Sequence, residues 1–413
     1  MSSQLLHTPE GVRDIYGDEC ARKRMVENRI LEVFQRYGYQ TIETPTFEFF
    51  DIFSKDRGSV ASREMFKFFD RENNTLVLRP DMTPAIARCV AKYHMEETMP
   101  LHLCYLGQTF TNTTNYQGRL KECTQTGAEC ILDGSADADA QMIAMVIEAL
   151  VASGLTDFQV EIGQVEFFRG LAEEAGMDAE TAETLRELIE RKNYFGVEEV
   201  LAGWKLEAPL KELFLRLPEL FGSIEKIAYA KNMTKNPRAL AALARLEEVY
   251  HLLELYGFSD FISLDLGMLN KYQYYTGIIF KAYTYGSGDY LVNGGRYDKL
   301  LEQFGKKAPA VGFVILVDSL MLALSRQHVA LPVTSVSAVV LYEEAARERA
   351  IRLTSSLQRA GNAVISERYQ TEKSLSSYEA YAERFHAAKV YYLSDTASGK
   401  VFDTMTKTWS EMP

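Results

Sequence analysis

Strand-forming runs crowd the first third of this chain, with too few helices between them for a parallel sheet. Residues 65–69 and 76–79 flank a turn-forming stretch, Asp70-Arg71-Glu72-Asn73-Asn74-Thr75, which predicts a hairpin. Further strands are expected at 101–106, 122–132 and 158–162, with single helices at 84–93 and 138–152. Parallel strands need long crossovers, usually helical. Strands outnumber such helices here, so the pattern predicts an α+β fold, an antiparallel sheet flanked by helices. A helix over 18–37 precedes it, with Val26, Ile30, Val33, Phe34 and Tyr37 on one face and Gly38 ending the run.

The pattern changes twice more. Residues 170–256 are rich in Ala, Glu, Leu and Arg at helical spacing, which predicts a helical insertion. Strand character returns at 262–266, 278–285 and 290–292, and helices are expected at 297–304 and 312–324. After Pro332 the chain alternates: strands at 338–342, 364–367 and 390–393, helices at 344–360 and 376–388. That alternation predicts a small α/β unit with parallel strands. The expected domains are therefore 1–327, including the insertion, and 334–413.

Composition narrows the function. Apolar residues make up 47% of the chain, ample for a core. A formal net charge of −12 argues against a general polyanion binder, and no run of Lys and Arg advertises a local basic groove. The opening MSSQLLHTPEGVRD has no apolar signal core, and no stretch is long enough to cross a bilayer. The cysteines (Cys20, Cys89, Cys104, Cys123 and Cys130) form no CxxC pair, so neither a metal site nor a disulfide framework is expected. Reduced thiols in a cytoplasmic protein, with no membrane partner, are the expectation.

Three segments carry unusual polar residues. If 122–132 is a strand, Cys123, Gln125, Gly127 and Glu129 share a face. A carboxylate in mid-sheet is costly unless paired, and Gly127 leaves room for a ligand between the two polar groups. The other reading is a solvated face. In LRPDMT at 78–83, Asp81 or Thr83 can cap the helix that follows, which does not preclude ligand contact. In LGMLNKYQYYTGIIF at 266–280, Tyr274 and Tyr275 offer the ring faces and hydroxyls that suit an imidazole, although adjacent aromatics on a strand usually divide between core and surface.

With YLGQTFTNTT at 105–114, NGGRYDKL at 293–300 and PAVGFVILVDSL at 309–320, these segments resemble class II aminoacyl-tRNA synthetases in their histidyl form. The resemblance implies that Asp81 and Thr83 contact a ligand amino group. It implies that Gln125 and Glu129 read amino group and imidazole, beside Tyr274 and Tyr275. The family also places arginines against ATP and substrate, where this chain has Thr111, Asn270 and Ser319. None of these supplies the planar cationic fork that a phosphate needs. The helix over 18–37, the extended piece after it and Pro45 resemble motif 1, the family's dimer interface, or else form an ordinary helix–strand pair.

The combination is similar to the regulatory subunits of ATP phosphoribosyltransferase, histidyl-synthetase paralogues, over residues 5–325 and more loosely over 338–413. The resemblance implies no catalytic residues, no cofactor and no tRNA partner. It implies a short-form ATP phosphoribosyltransferase catalytic subunit as partner, in a homodimer within a hetero-oligomer. That complex joins ATP to phosphoribosyl pyrophosphate, the first step of histidine synthesis, and histidine is its feedback effector. Whether the effector uses the synthetase-like pocket or a subunit interface stays open. The last domain resembles a shortened anticodon-binding domain. The competing readings are an active histidine–tRNA ligase and a free-standing histidine-sensing protein.

Overall fold

The computed structural model describes residues 6–54, 60–113, 120–269, 275–333, 336–395 and 398–412. The chain divides into two compact units, 1–331 and 332–413. Twelve strands of the first unit are described: β1 (Gln40–Thr41), β2 (Phe47–Phe49), β3 (Lys67–Phe69), β4 (Thr75–Leu78), β5 (Leu101–Phe110), β6 (Glu122–Ile131), β7 (Phe158–Gln164), β8 (Phe221–Gly222), β9 (Ile262–Asp265), β10 (Ile278–Thr284), β11 (Val292–Arg296) and β12 (Ala310–Leu316). Nine form one sheet in the order β1-β5-β6-β12-β11-β10-β7-β9-β8, and β2, β4 and β3 form a small one. In the large sheet only β1 with β5 and β7 with β9 run parallel, so the sheet is mainly antiparallel, as the scarcity of crossovers requires.

One face of this sheet is covered by α1 (Gly17–Arg36) and α3 (Ala136–Ala152). Four residues of the apolar stripe, Val26, Ile30, Val33 and Phe34, are fully buried in the core, while Tyr37 follows α1 and is half-buried. Gly38, at φ +82°, ends α1 in the left-handed conformation, and the Tyr39 N–H reaches back to the Phe34 carbonyl at 3.0 Å. Phe34 then meets Phe313 of β12 edge-on, with ring centroids 5.6 Å apart. The opposite face carries α2 (Thr83–Tyr93) and a second cluster that includes Met82, Ile86, Tyr105, Tyr275 and Tyr297.

The insertion is helical as expected: α4 (Val165–Glu174), α5 (Ala179–Glu190), α6 (Tyr194–Ala202), α7 (Ala208–Arg216), α8 (Glu225–Met233) and α9 (Pro237–Leu255). Asn236 caps α9 by accepting the N–H groups of Arg238 and Ala239, with Pro237 at the first helical position. Its apolar face shares the main core with α3. A buried charge cluster adds a polar tie. Asp139 of α3, fully buried, takes Arg296 of β11 at 2.7 Å and Arg245 of α9 at 2.8 Å. Arg296 also donates to the backbone carbonyls of Asp133 at 2.9 Å and Ser135 at 3.2 Å.

Some expected boundaries need correction. The helix expected over 312–324 begins only at α10 (Val317–Arg326), because Ala310–Leu316 is the interior strand β12. A strand buried on both faces reads as a continuous apolar run, which periodicity cannot tell from a buried helix. The strand expected at 290–292 is Val292–Arg296. Gly294 and Gly295, beyond the expected end of that strand, sit in the ladder opposite Phe280 and Ile279. The strand expected at 101–106 runs on to Phe110, and the helix expected at 297–304 is only a 3-10 turn at Leu301–Phe304.

The second unit holds β13 (Ala338–Tyr342), α11 (Arg347–Arg359), β14 (Val364–Arg368), α12 (Leu375–Arg384), β15 (Lys389–Leu393), β16 (Lys400–Asp403) and β17 (Thr408–Glu411). Its sheet order is β14-β13-β15-β16-β17. β13 pairs parallel with β14 and β15, as expected, but the antiparallel hairpin β16–β17 was not foreseen. Among the described residues no helix is long and apolar enough to cross a membrane, and no cluster of His, Cys, Asp and Glu is placed to hold a metal ion.

Candidate functional site

Glu129 lies near the C-terminal end of β6, 1% exposed. Thr83 donates its hydroxyl to one carboxylate oxygen at 2.7 Å, and the Tyr297 hydroxyl donates to the other. Burial pushes this carboxyl up to about 8. The two donated hydrogen bonds oppose the rise, and nearby Asp81 adds to it. A carboxyl raised in this way holds its proton to higher pH, and a cation beside it would favour the charged form.

The floor around Glu129 is backbone. A Cβ built on Gly312 would stand 1.6 Å from the Glu129 Oε2. Only hydrogen at position 312 lets the carboxylate keep its place. A Cβ on Gly127 would come within 2.1 Å of the Phe313 carbonyl oxygen and 2.6 Å of the Tyr105 hydroxyl. The space expected for a ligand beside Gly127 is therefore filled by Tyr105 and Phe313. A Gly312→Ala variant should stay folded but lose about 1–3 kcal/mol of stability from overpacking, as read by urea unfolding. It should also lose the Tyr297–Glu129 bond; unchanged ligand binding in that variant would show the carboxylate to be dispensable.

Asp81, Thr83, Gln125 and Tyr275 line one cavity, joined by Asn293 and Tyr297. Glu129 is tied to its wall through Thr83 and Tyr297. Asp81 accepts the Thr83 backbone N–H at 3.3 Å, so it steadies the start of α2 while facing the cavity. The Thr83 hydroxyl is turned to Glu129 instead of capping. Tyr274 and Asn270 lie outside the described residues.

The cavity is rich in acceptors and poor in cations. Among the described residues no lysine or arginine lines it. The Gln125 Oε1 and Asn293 Oδ1 are buried with no hydrogen-bond partner among those residues. Buried acceptors are costly when unpaired, so this cavity suits a ligand with N–H donors, above all a cationic one.

Of the positions where the synthetases carry arginine, Thr111 and Ser319 are described, and both lie apart from this lining. Thr111 follows β5 and donates its N–H to the Lys121 carbonyl at 2.8 Å. Ser319 stands in the first turn of α10. Its neighbour Asp318 is engaged by the Thr124 N–H at 2.6 Å and the Lys23 ammonium at 3.0 Å. Among the residues that escaped sequence reasoning are Tyr290, Asn293 and Tyr297 in the lining, and Tyr105, which packs against Gly127. NGGRYDKL entered only through the family resemblance, with no role given to Asn293 or Tyr297. Alternation along a strand would have put Asn293, Gly295 and Tyr297 on one face.

The family model described as histidyl-tRNA synthetase matches residues 11–320. The chain is 42% identical over 364 residues to the ATP phosphoribosyltransferase regulatory subunit of Acetivibrio thermocellus, covering 88% of this chain and 87% of that one. It is 40% identical over 403 residues to the namesake from Ruminiclostridium cellulolyticum, covering 98% and 96%. A solved ATP phosphoribosyltransferase regulatory subunit/histidyl-tRNA synthetase from Bacillus halodurans superposes with a TM-score of 0.86 at 31% identity, over 95% of this chain and 99% of that one. A histidyl-tRNA synthetase from Nostoc, at 19% identity and a TM-score of 0.83 over 98% and 96%, shares the fold. With this relatedness over nearly its whole length, the chain belongs to the ATP phosphoribosyltransferase regulatory subunits.

Proposed function

We propose that the chain is a non-catalytic subunit that binds histidine in the cavity of Asp81, Thr83, Gln125, Glu129 and Tyr275, and passes its occupancy to a short-form catalytic phosphoribosyltransferase subunit. The observation that carries this reading is the cavity's chemistry: Asp81 and two unpaired acceptors in the lining, the buried Glu129 tied to its wall, and no described lysine or arginine. An amino acid ammonium and an imidazole N–H fit such a lining. A triphosphate does not, since adenylation needs cations aimed at the developing charge. Tyr274, matched to the same family segment as Tyr275, is assigned to the ligand as well.

Regulation follows if histidine binds one assembly state better than another, because only differential affinity shifts an equilibrium. Homodimerisation fits the outward aromatic face of the small sheet, where Phe47 and Phe49 are 54% and 55% exposed and Phe47 meets Phe68 at 5.8 Å. A second copy would cover it.

Two measurements test the reading. Native mass measurement of the chain mixed with its short phosphoribosyltransferase subunit should give a hetero-oligomer whose assembly or activity responds to histidine. Failure to associate would remove the regulatory role. Pyrophosphate exchange with histidine and ATP should stay at background. Histidine-dependent exchange would establish a ligase instead.

A further inference from the structure

Asn293 stands on β11, two strands from Gln125 of β6. The register fixes what lies between. Asn293 pairs with Val314 of β12, and Val314 pairs with Gly127 of β6, the residue two before Glu129 and two after Gln125. At the usual strand spacing, the backbones of β6 and β11 are about 10 Å apart. The Asn293 Nδ2 donates to the Tyr275 hydroxyl at 3.4 Å, which orients the amide. The residue is 8% exposed, and its Oδ1 has no partner among the described residues.

The cavity therefore holds two unpaired amide oxygens, on strands that flank β12. A ligand that satisfies both must carry hydrogen-bond donors at its two ends. Val314, between them, offers an apolar floor to the middle of such a ligand. Histidine has this layout: an ammonium at one end, a ring N–H at the other, a methylene between. The Tyr275 ring beside Asn293 makes that end the one for a flat heterocycle. Gln125 is left for the ammonium.

We propose that Asn293 is a specificity-determining residue of this pocket, its Oδ1 accepting the ring N–H of a bound imidazole amino acid. The assignment rests on the histidine-binding reading above and adds a residue that the synthetase-like motifs do not supply. A ring lacking N–H leaves the amide oxygen buried and unpaired, so the pocket rejects it.

The test is calorimetric binding to the full-length chain of two ligands, histidine and β-(2-thienyl)alanine, whose ring has no N–H. Wild type should prefer histidine by about tenfold or more, the usual range for one buried hydrogen bond. Asn293→Leu should lose that preference, with histidine weakened about tenfold and thienylalanine unchanged within about twofold. Asn293→Asp keeps an acceptor and should restore the preference. Equal weakening of both ligands by Asn293→Leu would reduce Asn293 to a packing role and overturn the proposal. So would undiminished histidine affinity in that variant while wild type binds normally. If Asn293→Leu does not fold, an Asn293→Asp variant that shows no preference for histidine overturns it equally. Absence of histidine binding to wild type would instead bring down the functional reading on which the assignment stands.

Discussion

Replacing Arg296 by methionine should cost about 3–5 kcal/mol of folding stability, the usual penalty for breaking a buried ion pair from one side. Asp139 would remain fully buried with only Arg245 to compensate it. The carbonyls of Asp133 and Ser135 would lose their donor as well. Burial already pushes the Asp139 carboxyl up, against the pull of Arg296 and then Arg245. Loss of Arg296 removes the larger opposing influence. Arg245 is a useful contrast. Its side chain is 25% exposed, so water can replace part of what Arg245→Met removes, and about 1 kcal/mol is expected there. Urea unfolding of the two variants measures both. A cost below about 1 kcal/mol for Arg296→Met would show that the cluster is tolerated rather than required.

Glu129→Gln should move stability and binding in opposite directions. The folded protein holds the Glu129 proton to about 8, against an ordinary 4.5. A carboxyl raised in this way contributes stability fully below about pH 4.5, and that contribution is lost as pH rises toward about 8. Glutamine stays neutral throughout. The melting temperature of the ligand-free variant should therefore gain on wild type as pH rises from about 5 to about 8. Asp81, Tyr105 and Tyr297 face the same space, but the tyrosines are pushed upward and stay neutral over that range. Histidine affinity should fall about 10–100-fold, since hydrogen bonds to a charged group contribute about 1.5–3 kcal/mol. A constant melting difference across the range would mean that Glu129 ionises normally. An unchanged isotherm would mean that the ligand is held elsewhere.

Much of this architecture could be read from residue patterns because those patterns report burial. The stripe of α1 has one buried destination, and both it and β6 could be read. β12 did not, because AVGFVIL is apolar on both faces and loses the period that marks a strand. β11 failed for another reason. Its glycines carry no side chain to extend the strand pattern past Val292, while in the fold they let the Tyr275 and Phe280 rings approach the sheet. That error hid Asn293 and Tyr297, so the cavity was half legible. The residues on β6 and at the start of α2 could be named, and those on β11 could not. The hairpin of β16 and β17 is short and half-exposed, too weak a pattern to stand out.

The pocket floor also limits how such a protein can diverge. At positions 127 and 312 any side chain collides with backbone or with Glu129, so descendants can retool only the rim. Lineages that come to answer a different small molecule should differ at 125 and 293 while keeping hydrogen at the two floor positions. Ancestral chemistry would then persist long after the ancestral reaction has gone.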